Sequence, residues 1–363
     1  MPPAEPILAS TLWTAHLTSH QPSTGSPALT ESRGKLATGL SNLDTTLVPG
    51  LSYGTITCIS AETSSGAREL THALLVSHLL ASDDNAATVI DSTLSFDIRG
   101  LHQRLTDELK LRGEEEGRAM EAMGRLEIMK VFDFVGLTEC VSEVRGGLGC
   151  GGTNKGGVAI LTDEEEMGKV GLKGTISDSE NEEDESLSVS SLKQQREYPP
   201  PQRPPTRFGG DQSCRILVID NITQLAAPLL KNNHAQGQAL LTSFMRSLSH
   251  LTRTYNICTV LLNNTITYAT AKEEAPSIFA SCVLRPALGK TFTYSLDVHL
   301  LVHMVPKTAE DAKATYGGEA QGKQRGAVKM VSVVEVLQDR YEDRVGKWAP
   351  FVVDSDGRLR DVV

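Results

Sequence analysis

Between Thr55 and Asn263, short solid apolar runs alternate with longer stretches whose apolar residues recur at helical spacing. TITCIS (Thr55–Ser60) predicts a β-branched strand, SSGA (Ser64–Ala67) a turn, and ELTHALLVSHLLA (Glu69–Ala81) a helix with one apolar face. ATVIDST (Ala87–Thr93) predicts a second strand, and Leu101–Leu111 a helix behind it. RLEIMKVFDFV (Arg125–Val135) reads as a third strand running into a helix start. RILVIDNI (Arg215–Ile222) is the fourth strand and the clearest, followed by an amphipathic helix over Ala239–Thr252 and the strand ICTVLLN (Ile257–Asn263). Each strand reads as apolar on both faces. Strands of that kind alternating with helices predict an α/β fold, a mostly parallel sheet covered by helices on both sides. The C-terminal part differs: Val298–Val305, Ala327–Leu337 and Pro350–Val353 follow one another with no helix read between them, which predicts an antiparallel edge to the same sheet.

Two segments stand outside this pattern. Residues 1–35 mix Pro, Ser and Thr with short apolar patches around Trp13 and are expected to form a flexible arm. Residues 146–212 interrupt the core over 36–363: glycines crowd Gly146–Gly152, an acidic run follows, and YPPPQRPP (Tyr198–Pro205) closes it. Such a stretch buries too little surface to offset its ordering entropy, so it is expected to be a disordered insertion, a solvated spacer or a mimic of nucleic acid.

Charge alters the picture less than it first suggests. Of the formal net charge of −10, −8 lies between Asp163 and Glu185, leaving the rest of the chain at −2, so the acidic total does not exclude a nucleic-acid partner. The six cysteines form no C-x-x-C pair, a usage that fits a reducing compartment, with Cys58 and Cys258 as small core residues. No apolar run is long enough to span a membrane, and the first residues lack the pattern of a signal peptide.

The turn between TITCIS and the following helix is where a phosphate loop belongs. A working loop reads G-x-x-x-x-G-K-[ST], because its backbone N–H groups wrap the phosphates, the lysine reaches the β and γ phosphates, and the hydroxyl holds Mg²⁺. The octet here is Ala61-Glu62-Thr63-Ser64-Ser65-Gly66-Ala67-Arg68. Only Gly66 remains. Ala61 replaces the first glycine, Ala67 removes the ammonium, and Arg68 stands where the hydroxyl should. LVID (Leu217–Asp220) has the form of a Walker B strand. Without a metal, Asp220 is expected to serve in capping or turn hydrogen bonds.

In sequence order, TGLSNLDTTLVPGLSYGTITCIS (Thr38–Ser60), VIDSTLSFDIRGLHQRL (Val89–Leu105), MKVFDFVGLTECVSEV (Met129–Val144), LVIDNITQL (Leu217–Leu225), LLNNTIT (Leu261–Thr267) and RPALGKTFTYSLDVHLLV (Arg285–Val302) resemble the RecA/Rad recombinase family. The resemblance is to its eukaryotic paralogue branch, the D-type paralogues in particular. It implies a RecA-like P-loop NTPase core and work in DNA recombination and repair in the nucleus. Members that hydrolyse ATP carry a glutamate two residues after the acid of the second strand, where Thr93 stands here. Their sensor glutamine falls near Thr265. With lysine, hydroxyl, glutamate and glutamine all replaced, no ATPase activity and no cofactor are expected. The helical DNA-binding domain that precedes the core in active relatives needs more than the thirty-odd residues found here.

Other constellations are weak. His16/His20 and His299/His303 are each four apart, but the second pair lies in a strand-like run and neither has a third ligand at zinc spacing. No G-x-S-x-G elbow occurs. DNA contacts would fall to Lys272, Arg285 and Lys290 in one stretch and Lys323, Arg325 and Lys329 in another, with Tyr268 and Phe279 available for stacking. Two readings follow. One is a non-catalytic mediator that joins other recombinase paralogues or mediator proteins and meets DNA within that complex. The other is an ATP-dependent DNA-binding recombination protein whose altered loop still takes nucleotide with Mg²⁺.

Overall fold

The computed structural model of the chain describes residues 34–47, 50–149, 214–267, 276–316 and 328–362. The arm around Trp13 and the stretch from Cys150 to Ser213 lie outside the described residues. The chain opens with β1 (Lys35–Leu36), α1 (Ser41–Leu47) and β2 (Leu51–Ser52), the two strands pairing antiparallel. It continues through β3 (Ile56–Ala61), α2 (Ala67–Ala81), β4 (Ala86–Asp91), α3 (Ile98–Arg112), α4 (Gly117–Gly124), β5 (Leu126–Lys130) and α5 (Phe134–Gly149). Beyond residue 213 come β6 (Arg215–Asp220), α6 (Ile222–Asn232), α7 (His234–Thr254), β7 (Cys258–Thr267), β8 (Leu284–Pro286) and α8 (Gly289–Thr293). The last elements are β9 (Val298–Pro306), α9 (Ala309–Tyr316), β10 (Met330–Asp339), β11 (Trp348–Val353) and β12 (Leu359–Asp361).

The main sheet has the order β12-β11-β10-β9-β3-β7-β6-β4-β5, with β8 added to the end of β7. The six strands from β9 to β5 run parallel, and β10, β11 and β12 are antiparallel. This is the predicted architecture. The solid apolar runs are the central strands: Ile59, Val89, Val218 and Val260 face one apolar cluster, and Ile56, Ile90, Leu217 and Leu261 face the other. Helix α2 fills the first side with Leu70, Leu74, Leu75 and Leu79, while α7 fills the second with Phe244, Leu248 and Leu251. The free cysteines Cys58 and Cys258 are buried among them, as expected of small core residues.

Local chemistry fixes the helix ends. Asp97 caps α3 by accepting from Gly100 N–H, and Gly113 closes that helix in the left-handed region. Asn233 both ends α6 and caps α7, accepting from Gln236 N–H. Here Gly237 is required, because a Cβ would lie 2.9 Å from the backbone of Leu229.

Four features differ from the sequence reading. β5 is not buried on both faces: as the edge strand it is half-exposed along its length. The C-terminal strands are not continuous, since α9 intervenes between β9 and β10. α5 continues through Gly146–Gly149, where the insertion was expected to have begun. α6 holds Pro228, whose missing N–H hid the helix from a propensity reading.

At the amino-terminal ends of the parallel strands, Asp297 acts as a staple. Its buried carboxylate accepts from Ile56 N–H at 2.9 Å, Arg253 Nη2 at 3.1 Å and Tyr341 Oη at 3.2 Å, with Arg340 Nη1 at 3.5 Å. One acid thereby joins β3, α7, β9 and the turn after β10.

Candidate functional site

The carboxyl-terminal ends of β3, β4, β6, β7 and β9 converge on the position read as a phosphate loop, the location where open α/β sheets bind ligands. Glu62 to Gly66 carry the chain from β3 into α2. Ser65 closes this turn, donating from N–H (3.2 Å) and from Oγ (2.7 Å) to the carbonyl of Glu62. Glu62 N–H is itself tied to Val302 O on β9. Ser64 and Gly66 both have positive φ, 67° and 90°. Gly66 is needed for a second reason: a Cβ there would lie 2.7 Å from the ring of Phe351 on β11.

The replaced positions are occupied by groups with other tasks. Ala67 places a buried methyl where a lysine stem would leave the helix. Thr93 donates from N–H (2.9 Å) and from Oγ1 (2.8 Å) to Asp91, whose other oxygen receives Phe96 N–H at 3.1 Å. Thr265 donates to the carbonyl of Ala61 at 3.3 Å, tying the end of β7 to the end of β3. Behind them a buried polar chain links helix α6 to three strands: Thr223 of α6 bonds Asn263 of β7, Asn263 Nδ2 donates to Ser60 Oγ of β3 at 2.8 Å, and Ser60 bonds His299 Nε2 of β9 at 2.7 Å. Burial pushes the His299 imidazole down to about 4, so it takes part as the neutral ring.

Asp220 does not play the part expected from sequence. The turn and cap bonds go to its neighbour Asn221, which accepts from Thr223 N–H at 2.9 Å and donates from Nδ2 to Asn264 at 2.6 Å. Among the described residues no donor hydrogen-bonds the Asp220 carboxylate, and its ion-pair partner is Arg68, with Nε 3.8 Å from Oδ2. Burial pushes its pKa up to about 6, with Arg68 opposing the rise and the charge of Asp91 adding to it. Beside the pair lies a cleft of about 170 Å³ lined by Arg68, His72, Phe96, Asp97 and Arg104 among others. Cofactor pockets run from roughly 300 Å³ upward, so this one is small. His72 packs edge-on against Phe96 at 5.1 Å, and burial lowers its pKa to about 4.

No protein-family model matches the chain. Over 269 residues it is 20% identical to the mouse DNA repair protein RAD51 homolog 4, covering 74% of this chain and 60% of that one. The bovine protein of the same name matches at 20% over 267 residues, with the same shares. The chain thus spans about 60% of the length of the curated relatives it matches. Among solved structures, the RadB recombinase superposes with a TM-score of 0.52 at 16% identity, covering 90% of this chain and all of that one. The chain is similar to proteins of the RecA/Rad superfamily. Its sequence matches set it beside the Rad paralogues, and the superposition supports the RecA-like fold.

The residues read as DNA contacts are divided by the fold. Arg285 on β8 lies opposite Ile266, and Lys329 stands at the head of β10, both at the carboxyl-terminal end of the sheet. Lys290 is on α8, a helix that leads the chain back toward Asp297 at the opposite end. Lys272, Lys323, Arg325 and Tyr268 lie outside the described residues. Phe279 cannot stack on a base: it is buried, packed edge-on against Trp348 at 5.2 Å and His303 at 5.1 Å. His299 and His303 are both in β9 as read, and among the described residues no His, Cys, Asp or Glu cluster could hold a metal. Nor is any described helix long and apolar enough to cross a membrane.

Sequence reasoning missed Arg104 and His72, which share the cleft with Arg68. His72 follows Arg68 by one helical turn, and that spacing was the available signal.

Proposed function

We propose that this chain is a non-catalytic recombinase paralogue, a scaffold or mediator in homologous recombination and double-strand break repair. It works in the nucleus through heteromeric complexes with other paralogues on DNA, and it holds no nucleotide of its own. The observation that carries this reading is the Arg68–Asp220 contact of 3.8 Å, which places a guanidinium against the acid where a metal-bound nucleotide would need that acid free. Support comes from Thr93 and Thr265, whose hydroxyls are engaged with Asp91 and Ala61 instead of facing a phosphate. Phosphoryl transfer depends on positioned charge, and each of these contacts removes a part of it.

The test is calorimetric titration of the purified chain with Mg-ATP. No binding tighter than about 1 mM, about −4 kcal/mol, is expected. Micromolar affinity that disappears on substituting Asp220 would instead make the chain an ATP-dependent DNA-binding protein. Light scattering with candidate paralogues supplies the second half: a stable mixed complex should form equally with and without Mg-ATP.

A further inference from the structure

We propose that Arg68 is a built-in counter-ion, held against Asp220 so that the core can keep this buried acid with neither metal nor nucleotide present. The proposal rests on the nucleotide-free reading above and gives the altered loop residue a task of its own.

The argument begins with Asp220. It ends strand β6, buried from Ile216 onward, in register with Asp91 at the end of β4, so two acids stand side by side on neighbouring strands. Asp91 is compensated by two backbone N–H groups and a hydroxyl. Asp220 is not. The polar groups near it are committed to one another: Asn221 to Thr223 and Asn264, Thr223 to Asn263, and Ser92 Oγ to the backbone of Asn221. A buried carboxylate left in that condition is strongly unfavourable.

Arg68 is the other half. It lies in the first turn of α2, where the helix dipole favours anions and disfavours a cation. An arginine there is locally misplaced unless something nearby repays it, and Asp220 is the group within reach. The chemistry favours arginine over lysine, since a guanidinium is less strongly hydrated and keeps its charge beside a buried acid. Its side chain is 55% exposed while that of Asp220 is 7% exposed, so the arginine remains partly in water and the acid receives the benefit. Arg104, the other guanidinium of the cleft, is turned to the carbonyl of Glu69 at 3.2 Å.

A double-mutant cycle on the full chain tests this, with melting temperature read at pH 7.5 and no nucleotide present. Arg68→Ala should melt lower by about 3 °C or more. Asp220→Asn should melt at or above the parent. In the Asp220→Asn background, Arg68→Ala should cost nothing, and Arg68→Lys should recover part of the loss in the parent background. The proposal is overturned if Arg68→Ala melts like the parent, or if its loss persists once Asp220 is neutral, because a purely packing role would survive that change. These melts use no nucleotide, so they stand apart from the Mg-ATP titration, whose failure would remove the scaffold reading alone.

Discussion

Two buried aspartates, one at each end of the parallel strands, have opposite surroundings. Asp297 at the amino-terminal end collects a backbone N–H, a phenol and two guanidiniums. Asp220 at the carboxyl-terminal end has one guanidinium at 3.8 Å, and burial raises its pKa to about 6. The first is an acid ringed by donors. The second is an acid placed by its strand at a ligand position and left with a single substitute partner. A buried charge surrounded by donors joins elements together, whereas one without them is tolerated only as long as its partner stays.

Acid is the strongest way to probe this contrast. His72, His299 and His303, and His78, which bonds Tyr53, are all pushed down to about 4 by burial. Their unfolded values lie near 6.5, so the unfolded chain binds more protons between those limits. Stability is therefore fully present above pH 6.5 and falls as the pH drops toward 4, by up to about 1.4 kcal/mol per histidine per pH unit. Asp220 and Glu335, both raised by burial, act in the opposite sense and offset part of the loss. Urea unfolding at pH 7 and pH 5 should differ by several kcal/mol, and a flat profile would contradict the neutral buried rings.

Next in size is Asp297→Ala, which should cost about 3 kcal/mol in urea unfolding at pH 7.5, since it removes several donors' partner at once. The smallest effect belongs to Asp220→Asn, expected to leave stability unchanged or to raise it by about 1 kcal/mol at pH 7.5. The sign follows from the raised pKa: ionising Asp220 costs folded stability as pH rises through about 4 to 6, so the gain should vanish below pH 4. If Asp220→Asn proved as damaging as Asp297→Ala, the contrast between the two ends would be lost.

The sheet was legible in the sequence because solid apolar runs have few other places to go. ILVI of β6 and CTVLL of β7 could be read without reference to neighbours. Edge position was not legible: LEIMK resembles a core strand, and its half-exposure reflects its place at the end of the sheet among the described residues. The loop's altered chemistry was visible at Ala67, Arg68, Thr93 and Thr265, since each is a missing functional group. What replaced it was hidden. That Thr93 turns to Asp91, that Thr265 turns to Ala61, and that Asn221 rather than Asp220 makes the cap are facts of three-dimensional placement. Phe279 shows the same limit, since an aromatic in a loop looks available until Trp348 and His303 are seen around it.

The strand order also bears on how the chain is made. β3 is the first strand of the main sheet to leave the ribosome, yet it pairs with neither β4 nor any other early strand; its neighbours are β7 and β9. Ser60 waits 203 residues for the Asn263 amide, and Ile56 waits 241 residues for the Asp297 carboxylate. At a synthesis rate of roughly 5–20 residues per second, this apolar strand stays unpaired for on the order of ten seconds or more. Pairings so distant in sequence also close slowly once both partners exist. A central strand that waits this long for its neighbours exposes unpaired strand edges and apolar surface while the chain is being made.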